Sequence, residues 1–339
     1  MSSRVYKWDN AKFVAMLAVV MGHIIACYKY KPQWTVFNSL NFFIYCFQIP
    51  VFLFISGLMQ KNFGREDKLN VGRLAMFFRF FLLLNLFNWL GHIMVGTSNN
   101  LRLLTTEGVA WFMLAMIIFT LIVYITRGTS VLYLFIFSIV FSCFKGYDST
   151  LFSPMFLAQL FGQLPFFLLG YMLDSKQMCS VLEKFWIKAI SVIYLVVLAG
   201  FLYLNPEFAV DYRPLMTFAK AYSNMGNGLE WYHQGLAYIV IFCTMFAVIA
   251  IMPNRKLPLI SVWGSRTMNV YLFHRIIIFA LVCGGVNDWL LVTLGKRVFM
   301  IVWLLIAVAI TCILSTKPVD TLTKIVLGIN FPWKEKVKK

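Results

Sequence analysis

The chain has 339 residues, of which 61% are hydrophobic and 13% are charged, and its formal net charge is +17. A soluble protein of this size could not carry a mean hydropathy of +0.79, so the composition indicates a polytopic membrane protein. The cations lie between apolar runs rather than along one amphipathic face, which excludes a nucleic-acid-binding surface and favours membrane topology with an anionic ligand. The seven cysteines are scattered without metal-ligand spacing, so we expect neither a disulfide framework nor a metal site.

Ten apolar runs are long enough to be helices in a bilayer. They lie at about 10–29, 39–60, 74–95, 109–126, 130–145, 155–173, 185–204, 235–252, 268–284 and 298–315. The Lys and Arg excess in alternate connections places both termini in the cytoplasm. The sequence therefore predicts an all-α, multi-pass bundle of about ten transmembrane helices in the cell inner (cytoplasmic) membrane. The transmembrane domain would cover residues 1–316, with a basic cytoplasmic tail over 317–339.

Two parts of this topology need separate interpretation: the short fifth and sixth apolar runs, and the hydrophilic segment 205–234. The fifth and sixth runs are short, so that pair is either two crossings or one re-entrant hairpin. The segment 205–234 is the longest hydrophilic connection and predicts an aqueous loop on the outer side, with Asp211, Arg213, Glu230 and His233 exposed there.

The first apolar run carries two ionisable residues, Lys12 and His23. Eleven residues make about three helical turns, so the two side chains share a face about 16 Å apart along the axis. Asp9 falls on nearly the same face, fourteen residues before His23. Ionisable groups inside a membrane are costly and usually functional. The alternative is an interfacial histidine at a helix end, with Lys12 as an anchor whose ammonium reaches the membrane surface.

The segment Trp8–His23 resembles the first helix of the acyltransferase family three, integral membrane O-acyltransferases that modify bacterial sugars. In that family a basic residue, usually Arg, stands eleven positions before a catalytic His, and the fucose O-acetylase-like branch has Asp-x-x-Lys. Asp9, Lys12 and His23 match that branch, and Gln48 stands where many relatives have a His. Four further segments resemble the family in the same order: IPVFLFISGLM (49–59), AWFMLAM (110–116), PFFLLGY (165–171) and SRTMNVYLFH (265–274).

The resemblance implies transfer of an acetyl group from cytoplasmic acetyl-CoA to a hydroxyl of a cell-surface polysaccharide or its lipid-linked precursor. His23 would be the general base, since imidazole titrates in the useful range, and Lys12 and Asp9 would belong to the same catalytic group. The implied partners are acetyl-CoA, a glycan or lipid-linked sugar and membrane lipid, with a homodimer as one option and no nucleic acid. Acetyl-CoA is the donor substrate, and no further cofactor or metal is implied.

Charge, position and the segments that resemble the family identify candidate substrate-binding residues. Donor binding is predicted for Arg73, Arg79, Trp111, Arg266, His274 and Arg275. Acceptor binding is predicted for Glu107, Glu230 and His233. Arg79 and Arg275 lie about two turns inside apolar runs, where an anchoring role is harder to explain. Pairing with a neighbouring polar group or a backbone carbonyl is the alternative for both.

Two other functions fit the composition. A proton-coupled secondary transporter of a small anionic solute or sugar would use His23 for proton coupling, and it predicts helices broken at matching positions of two inverted repeats. A polymerase or ligase of lipid-linked sugars would be expected to carry several arginines in a long outer loop, whereas the segment 205–234 has only Arg213.

Overall fold

The computed structural model describes residues 4–26, 28, 32–63, 69–97, 100–104, 108–152, 157–225 and 228–327. Within these ranges all regular structure is helical. The α-helices are α1 (Tyr6–Ile25), α2 (Thr35–Tyr45), α3 (Gln48–Phe63), α4 (Val71–Met94), α5 (Trp111–Ile125), α6 (Val131–Phe144), α7 (Leu157–Met172), α8 (Ser175–Leu182), α9 (Phe185–Leu204), α10 (Pro206–Thr217), α11 (Trp231–Ile251), α12 (Ile260–Gly264), α13 (Thr267–Cys283), α14 (Val286–Leu314) and α15 (Lys317–Val326).

Each of the ten predicted apolar runs overlaps a helix or a pair of helices, which confirms the all-α membrane bundle. Among the described residues, six segments have the length and composition to cross a bilayer: α1, α2 with α3, α4, α9, α11 and α14. Four more apolar helices, α5, α6, α7 and α13, are shorter. The cytoplasmic position of the termini stays a prediction.

The run predicted as one helix over 39–60 is two helices, α2 and α3, separated at Cys46 and Phe47. Pro50 explains the position of the break, because its ring nitrogen cannot donate the helical hydrogen bond to the Cys46 carbonyl. A second interruption lies within α14, where Gly295 has φ 68° and ψ 162°. That backbone conformation is open to glycine and strained for other residues.

The prediction of an aqueous loop over 205–234 was wrong for much of the described part. Residues Pro206–Thr217 form α10, and Pro206 suits the first helical position because its φ is already helical. Ala209, Arg213 and Met216 repeat at helical spacing and are all buried. This amphipathic helix was not predicted because the segment is hydrophilic in composition. It packs against α2.

The helices form two compact units, and the first comprises residues 1–69 and 115–265. Within it α1 is largely buried and packs against α2, α3, α11 and α12. The α3–α7 crossing brings backbones into contact at two glycines. A Cβ added to Gly57 would lie 2.0 Å from the Phe167 carbonyl oxygen. Gly57 therefore permits the close approach of α3 and α7.

The start of α1 is attached to the end of α11 by Lys7, whose side chain is fully buried. The Lys7 ammonium donates to the carbonyl oxygens of Ile249 at 3.2 Å and Ala250 at 3.0 Å. It also forms an ion pair with Glu183 at 2.8 Å. The last carbonyls of a helix lack intrahelical donors and carry its negative dipole end, so a buried cation is stabilised there.

The second unit comprises residues 70–114 and 266–339. Here α13 packs against α4, α14 and α15. Asn269 of α13 donates to Asp320 of α15 at 3.4 Å. The beginning of the predicted tail, Lys317–Val326, is thus a helix held against the unit, and the part beyond Leu327 lies outside the described residues.

Candidate active site

The first site residues lie on α1, which is continuous from Tyr6 to Ile25. It carries Lys12 in its second turn and His23 in its last, so helix geometry separates them by about 16 Å along one face. Lys12 and His23 are half-buried, and Met16 and Val19, which lie between them on that face, are buried. Because α1 is continuous, Lys12 and His23 have the predicted spacing along one face of the helix.

Asp9 joins this group by holding two cations. Its Oδ1 pairs with the Lys12 ammonium at 2.8 Å. Its Oδ2 accepts from Arg4 Nε at 2.8 Å and lies 2.7 Å from Arg4 Nη2. The Asp9 side chain is 9% exposed. One carboxylate thus positions two cations, and the Arg4–Asp9–Lys12 cluster has a formal charge of +1 at the start of α1.

The backbone at Asp9 is fixed by α12. A Cβ added to Gly264 would lie 1.9 Å from the Asp9 carbonyl oxygen. On the same end of α1, Asn10 accepts a hydrogen bond from Ser261 at 2.7 Å and donates to the Pro253 carbonyl at 2.9 Å. These contacts leave little freedom for the segment that carries Asp9 and Lys12.

In the second unit, two predicted donor residues lie around Tyr271. The Tyr271 hydroxyl donates to the Val109 carbonyl oxygen, and its ring lies 5.6 Å from that of Phe112. The Trp111 ring contacts the Phe112 ring edge-on, with 6.0 Å between ring centres, and the ring centres of His274 and Tyr271 are 6.1 Å apart. His274 is fully buried, and its Nδ1 lies 2.8 Å from the Val270 carbonyl oxygen.

Arg275 belongs to the same region of this unit. Its Nε donates to Asn88 Oδ1 at 3.1 Å, and its guanidinium carbon lies 5.0 Å from the centre of the Phe279 ring. A Cβ added to Gly108 would lie 2.8 Å from Asn88 Oδ1 and 3.1 Å from Arg275 Nε. The side chain is therefore bound by a polar neighbour, as the alternative to a substrate role predicted. Donor contact by Arg275 stays a prediction.

The other predicted donor residues lie elsewhere. Arg266 stands at the start of α13 and donates to the Ser315 carbonyl oxygen at 3.3 Å. Nine residues separate it from Arg275, or about 13 Å along α13. Arg73 and Arg79 are six residues apart in α4, so they project from different faces. Arg73 is half-buried beside Phe77, and Arg79 is exposed.

The acceptor candidates Glu230 and His233 form a reciprocal cap at the start of α11. The Glu230 backbone N–H donates to His233 Nδ1 at 3.1 Å, and the Glu230 carboxylate accepts from the His233 backbone. Both residues therefore have a structural role, and acceptor binding by them is untested. Glu107 lies outside the described residues.

Sequence comparison supplies independent information on the chain as a whole. The acyltransferase domain of family three matches residues 5–317, which includes every predicted site residue. No curated protein and no solved structure matches the chain significantly.

Proposed function

The chain belongs to the acyltransferase family three and is a membrane acyltransferase, and we propose that it moves an acetyl group from acetyl-CoA to a sugar hydroxyl. The acceptor in this proposal is a cell-surface polysaccharide or its lipid-linked precursor, and the location is the cytoplasmic membrane. The Asp-x-x-Lys pattern of Asp9 and Lys12 supports the fucose O-acetylase-like branch as part of the proposal.

One observation carries the proposal, the placement of Lys12 and His23 on one face of the buried helix α1. An extended pantetheine arm, on the order of 15–20 Å, matches their offset of about 16 Å. Phosphates bound at the positively charged Arg4–Asp9–Lys12 cluster would then leave the thioester beside His23. Charge-assisted hydrogen bonds from cations are the usual protein contacts to phosphate.

The proposed reaction needs one base and no covalent enzyme intermediate. His23 takes the proton from the acceptor hydroxyl while that oxygen attacks the thioester carbonyl carbon. The new C–O bond forms, the C–S bond breaks, and the CoA thiolate leaves. The imidazolium then returns the proton to the thiolate, so the products are the O-acetyl sugar and CoA.

The interrupted helices bear on the transporter alternative. The break between α2 and α3 and the kink at Gly295 are features that secondary transporters also use. The match to an acyltransferase domain over residues 5–317 favours acyl transfer instead.

The deciding experiment is a titration of the purified protein with acetyl-CoA, CoA and acetyl-pantetheine. We expect acetyl-CoA and CoA to bind, and acetyl-pantetheine, which lacks the nucleotide phosphates, to bind at least tenfold more weakly. A transporter of sugars or a glycan polymerase has no reason to bind any of the three. Absence of acetyl-CoA binding would contradict the proposal.

A further inference from the structure

A buried arginine lies in the first unit at the interface of α2 and α10. Arg213 is 7% exposed, and its Nε donates to Asn41 Oδ1. Its guanidinium carbon lies 4.3 Å from the centre of the Tyr45 ring. Cys46 at the end of α2 contacts Met216 of α10, and their sulfur atoms are 3.8 Å apart.

Two buried amide side chains, one in α2 and one at the start of α3, have unused hydrogen-bonding capacity. Asn41 is fully buried, and because its Oδ1 accepts from Arg213, its Nδ2 points elsewhere. That Nδ2 has no hydrogen-bond partner among the described residues. The same holds for Oε1 of Gln48, which is 5% exposed. Buried polar atoms are nearly always paired, so the open donor of Asn41 and the open acceptor of Gln48 each call for a partner, which a bound group would supply.

The backbone at this place is also suited to a ligand. The break between Tyr45 and Gln48 interrupts a single apolar segment, Thr35–Gln60. Irregular backbone at membrane depth is tolerated where it is buried in protein or lines a cavity. The first N–H groups of α3 have no intrahelical acceptors and form the positive end of its dipole. Arg213 and the start of α3 therefore both favour a negatively charged group.

Gln48 and Tyr45 lie against the end of α1 that carries His23. A Cβ added to Gly22, the residue before His23, would lie 3.3 Å from Gln48 Oε1. The same point is 3.6 Å from Tyr45 Cε2. Gln48 and Tyr45 thus converge on the last turn of α1, the turn that carries His23.

We propose that Asn41, Gln48 and Arg213 form the acceptor-binding site, and that the acceptor is a glycan carrying a carboxylate or a phosphate. Arg213, Asn41 Nδ2 and the start of α3 bind the anionic group. Gln48 Oε1 accepts a hydrogen bond from a sugar hydroxyl. This inference rests on the proposed function and adds a charge requirement to it, at residues other than Glu107, Glu230 and His233.

The test compares three probes on the purified full-length protein with CoA bound. They are methyl glucuronide, glucose 1-phosphate and the neutral methyl glucoside, and binding is measured by calorimetry. We expect at least one anionic sugar to bind tenfold or more tightly than methyl glucoside. The carboxylate and phosphate arms identify the source of the charge. Equal binding of all three sugars would overturn the inference.

Two variants test whether the preference for anionic sugars depends on Arg213. Arg213→Gln removes the cation and is expected to abolish the anionic preference. Asn41→Asp places a carboxylate against Arg213, where it would compete with a bound anion, so it should also abolish the preference while keeping or raising the melting temperature. Retention of the preference in Asn41→Asp would overturn the inference even if Arg213→Gln fails to fold.

Gln163→Leu is the matched control, because Gln163 of α7 is also buried with an unpaired Oε1 among the described residues. It should leave the anionic preference unchanged, and equal losses in Gln163→Leu and Asn41→Asp would overturn the inference. Acetyl-CoA affinity separates this inference from the proposed function. Absence of acetyl-CoA binding in the unmodified protein contradicts the proposed function. Normal acetyl-CoA binding without an anionic sugar preference contradicts the inference alone.

Discussion

Gly57 of α3 and Gly170 of α7 meet at one helix crossing, each against the backbone of the other's helix. A Cβ at Gly57 would lie 2.0 Å from the carbonyl oxygen of Phe167, and a Cβ at Gly170 would lie 2.0 Å from that of Phe54. Both contacts involve main-chain atoms, which cannot turn away as a side chain can. The two helices are therefore held at a separation that only glycine permits at both positions.

We predict that Gly57→Ala and Gly170→Ala each destabilise the protein by about 1–3 kcal/mol, the usual cost of overpacking. The melting temperature of the purified protein measures this. Gly200→Ala in α9 is the control, because no atom lies within 4 Å of an added Cβ there, and alanine is the better helix former. Equal melting temperatures for all three variants would show that the crossing relaxes without cost.

Replacement of His23 should separate binding from catalysis. His23→Ala is expected to keep its fold and its affinity for CoA while losing about 10² to 10⁴ in transfer rate, the usual contribution of a general base. His92→Ala is the matched control, since His92 is also half-buried near a helix end, where its Nδ1 lies 2.8 Å from Thr97 Oγ1. Near-normal turnover by His23→Ala would exclude His23 as the base.

Lys12 should affect the donor. If its ammonium contacts a phosphate, Lys12→Ala weakens acetyl-CoA binding by about 1–3 kcal/mol, and Lys12→Arg retains most of the affinity. Asp9→Asn should weaken binding less, because it releases Lys12 without removing its charge. Lys324→Ala, which breaks a surface ion pair with Asp320, should change nothing. Similar small effects in all variants would mean that these cations serve topology alone.

Arg79 and Arg275 provide a second test of the donor prediction. Both are predicted to bind the donor, yet Arg79 is exposed and Arg275 is held by Asn88. Arg79→Ala and Arg275→Ala should each weaken acetyl-CoA binding by about 1–3 kcal/mol if they contact phosphates. A change in melting temperature without a change in affinity would assign Arg275 a purely structural role with Asn88.

Glu183 predicts a loss of stability in acid. Burial alone would raise the pKa of Glu183, but hydrogen bonds from Lys188 and Lys7 outweigh burial and hold that pKa below its ordinary value. A lowered pKa means that the ionised carboxylate stabilises the fold near neutral pH. This contribution is lost as the pH falls below about 4.3, the ordinary value for Glu, and through the lowered pKa.

The measurement is the melting temperature between pH 6 and about pH 3. Glu183→Gln should have a smaller decrease over that range than the unmodified protein. Glu207→Gln, at an exposed position in the first turn of α10, should show the full decrease. Parallel curves for all three proteins would rule out Glu183 as the source of the acid sensitivity.

The predicted orientation can be tested with single cysteines at exposed positions. Ser223 and Asn70 are both exposed in the structure. In a background whose native cysteines do not react, Ser223→Cys should react with an impermeant thiol reagent added outside the cell. Asn70→Cys should react only after the inner face is opened. The reverse labelling pattern would show that the topology is opposite to the predicted one, with the proposed phosphate-binding end of α1 outside the cell.

The sequence predicted those features that depend on local periodicity. An apolar run with helical spacing places Lys12 and His23 on one face whatever surrounds it, and α1 has that form. The Asp9–Lys12 pair also follows from spacing, because residues three apart are neighbours on a helix. Ser56 and Gly57 in the second apolar run are small residues of the kind that allows helices to approach closely, and Gly57 makes such a contact.

Features that depend on distant contacts could not be predicted. Arg213 was expected in an aqueous loop, because a charged residue in a hydrophilic segment is usually solvated. Its burial depends on Asn41, 172 residues away in the chain. The local signal was weak: the buried face of α10 can be found as a repeat of Ala209, Arg213 and Met216 only once the helix is known. Lys7 likewise precedes an apolar run, where a lysine is ordinarily an anchor at the membrane surface, and its burial depends on partners at the end of α11.

The attachment of Lys7 to α11 also constrains the order in which the protein assembles in the membrane. Its carbonyl partners at Ile249 and Ala250 are synthesised 242 and 243 residues later. At about 5–20 residues per second, that interval lasts roughly 12–50 s. During this time the start of α1 carries a cation without these carbonyl partners. The start of the helix that carries His23 therefore becomes fixed in place only after α11 has been made, so the proposed catalytic base is synthesised long before it is positioned.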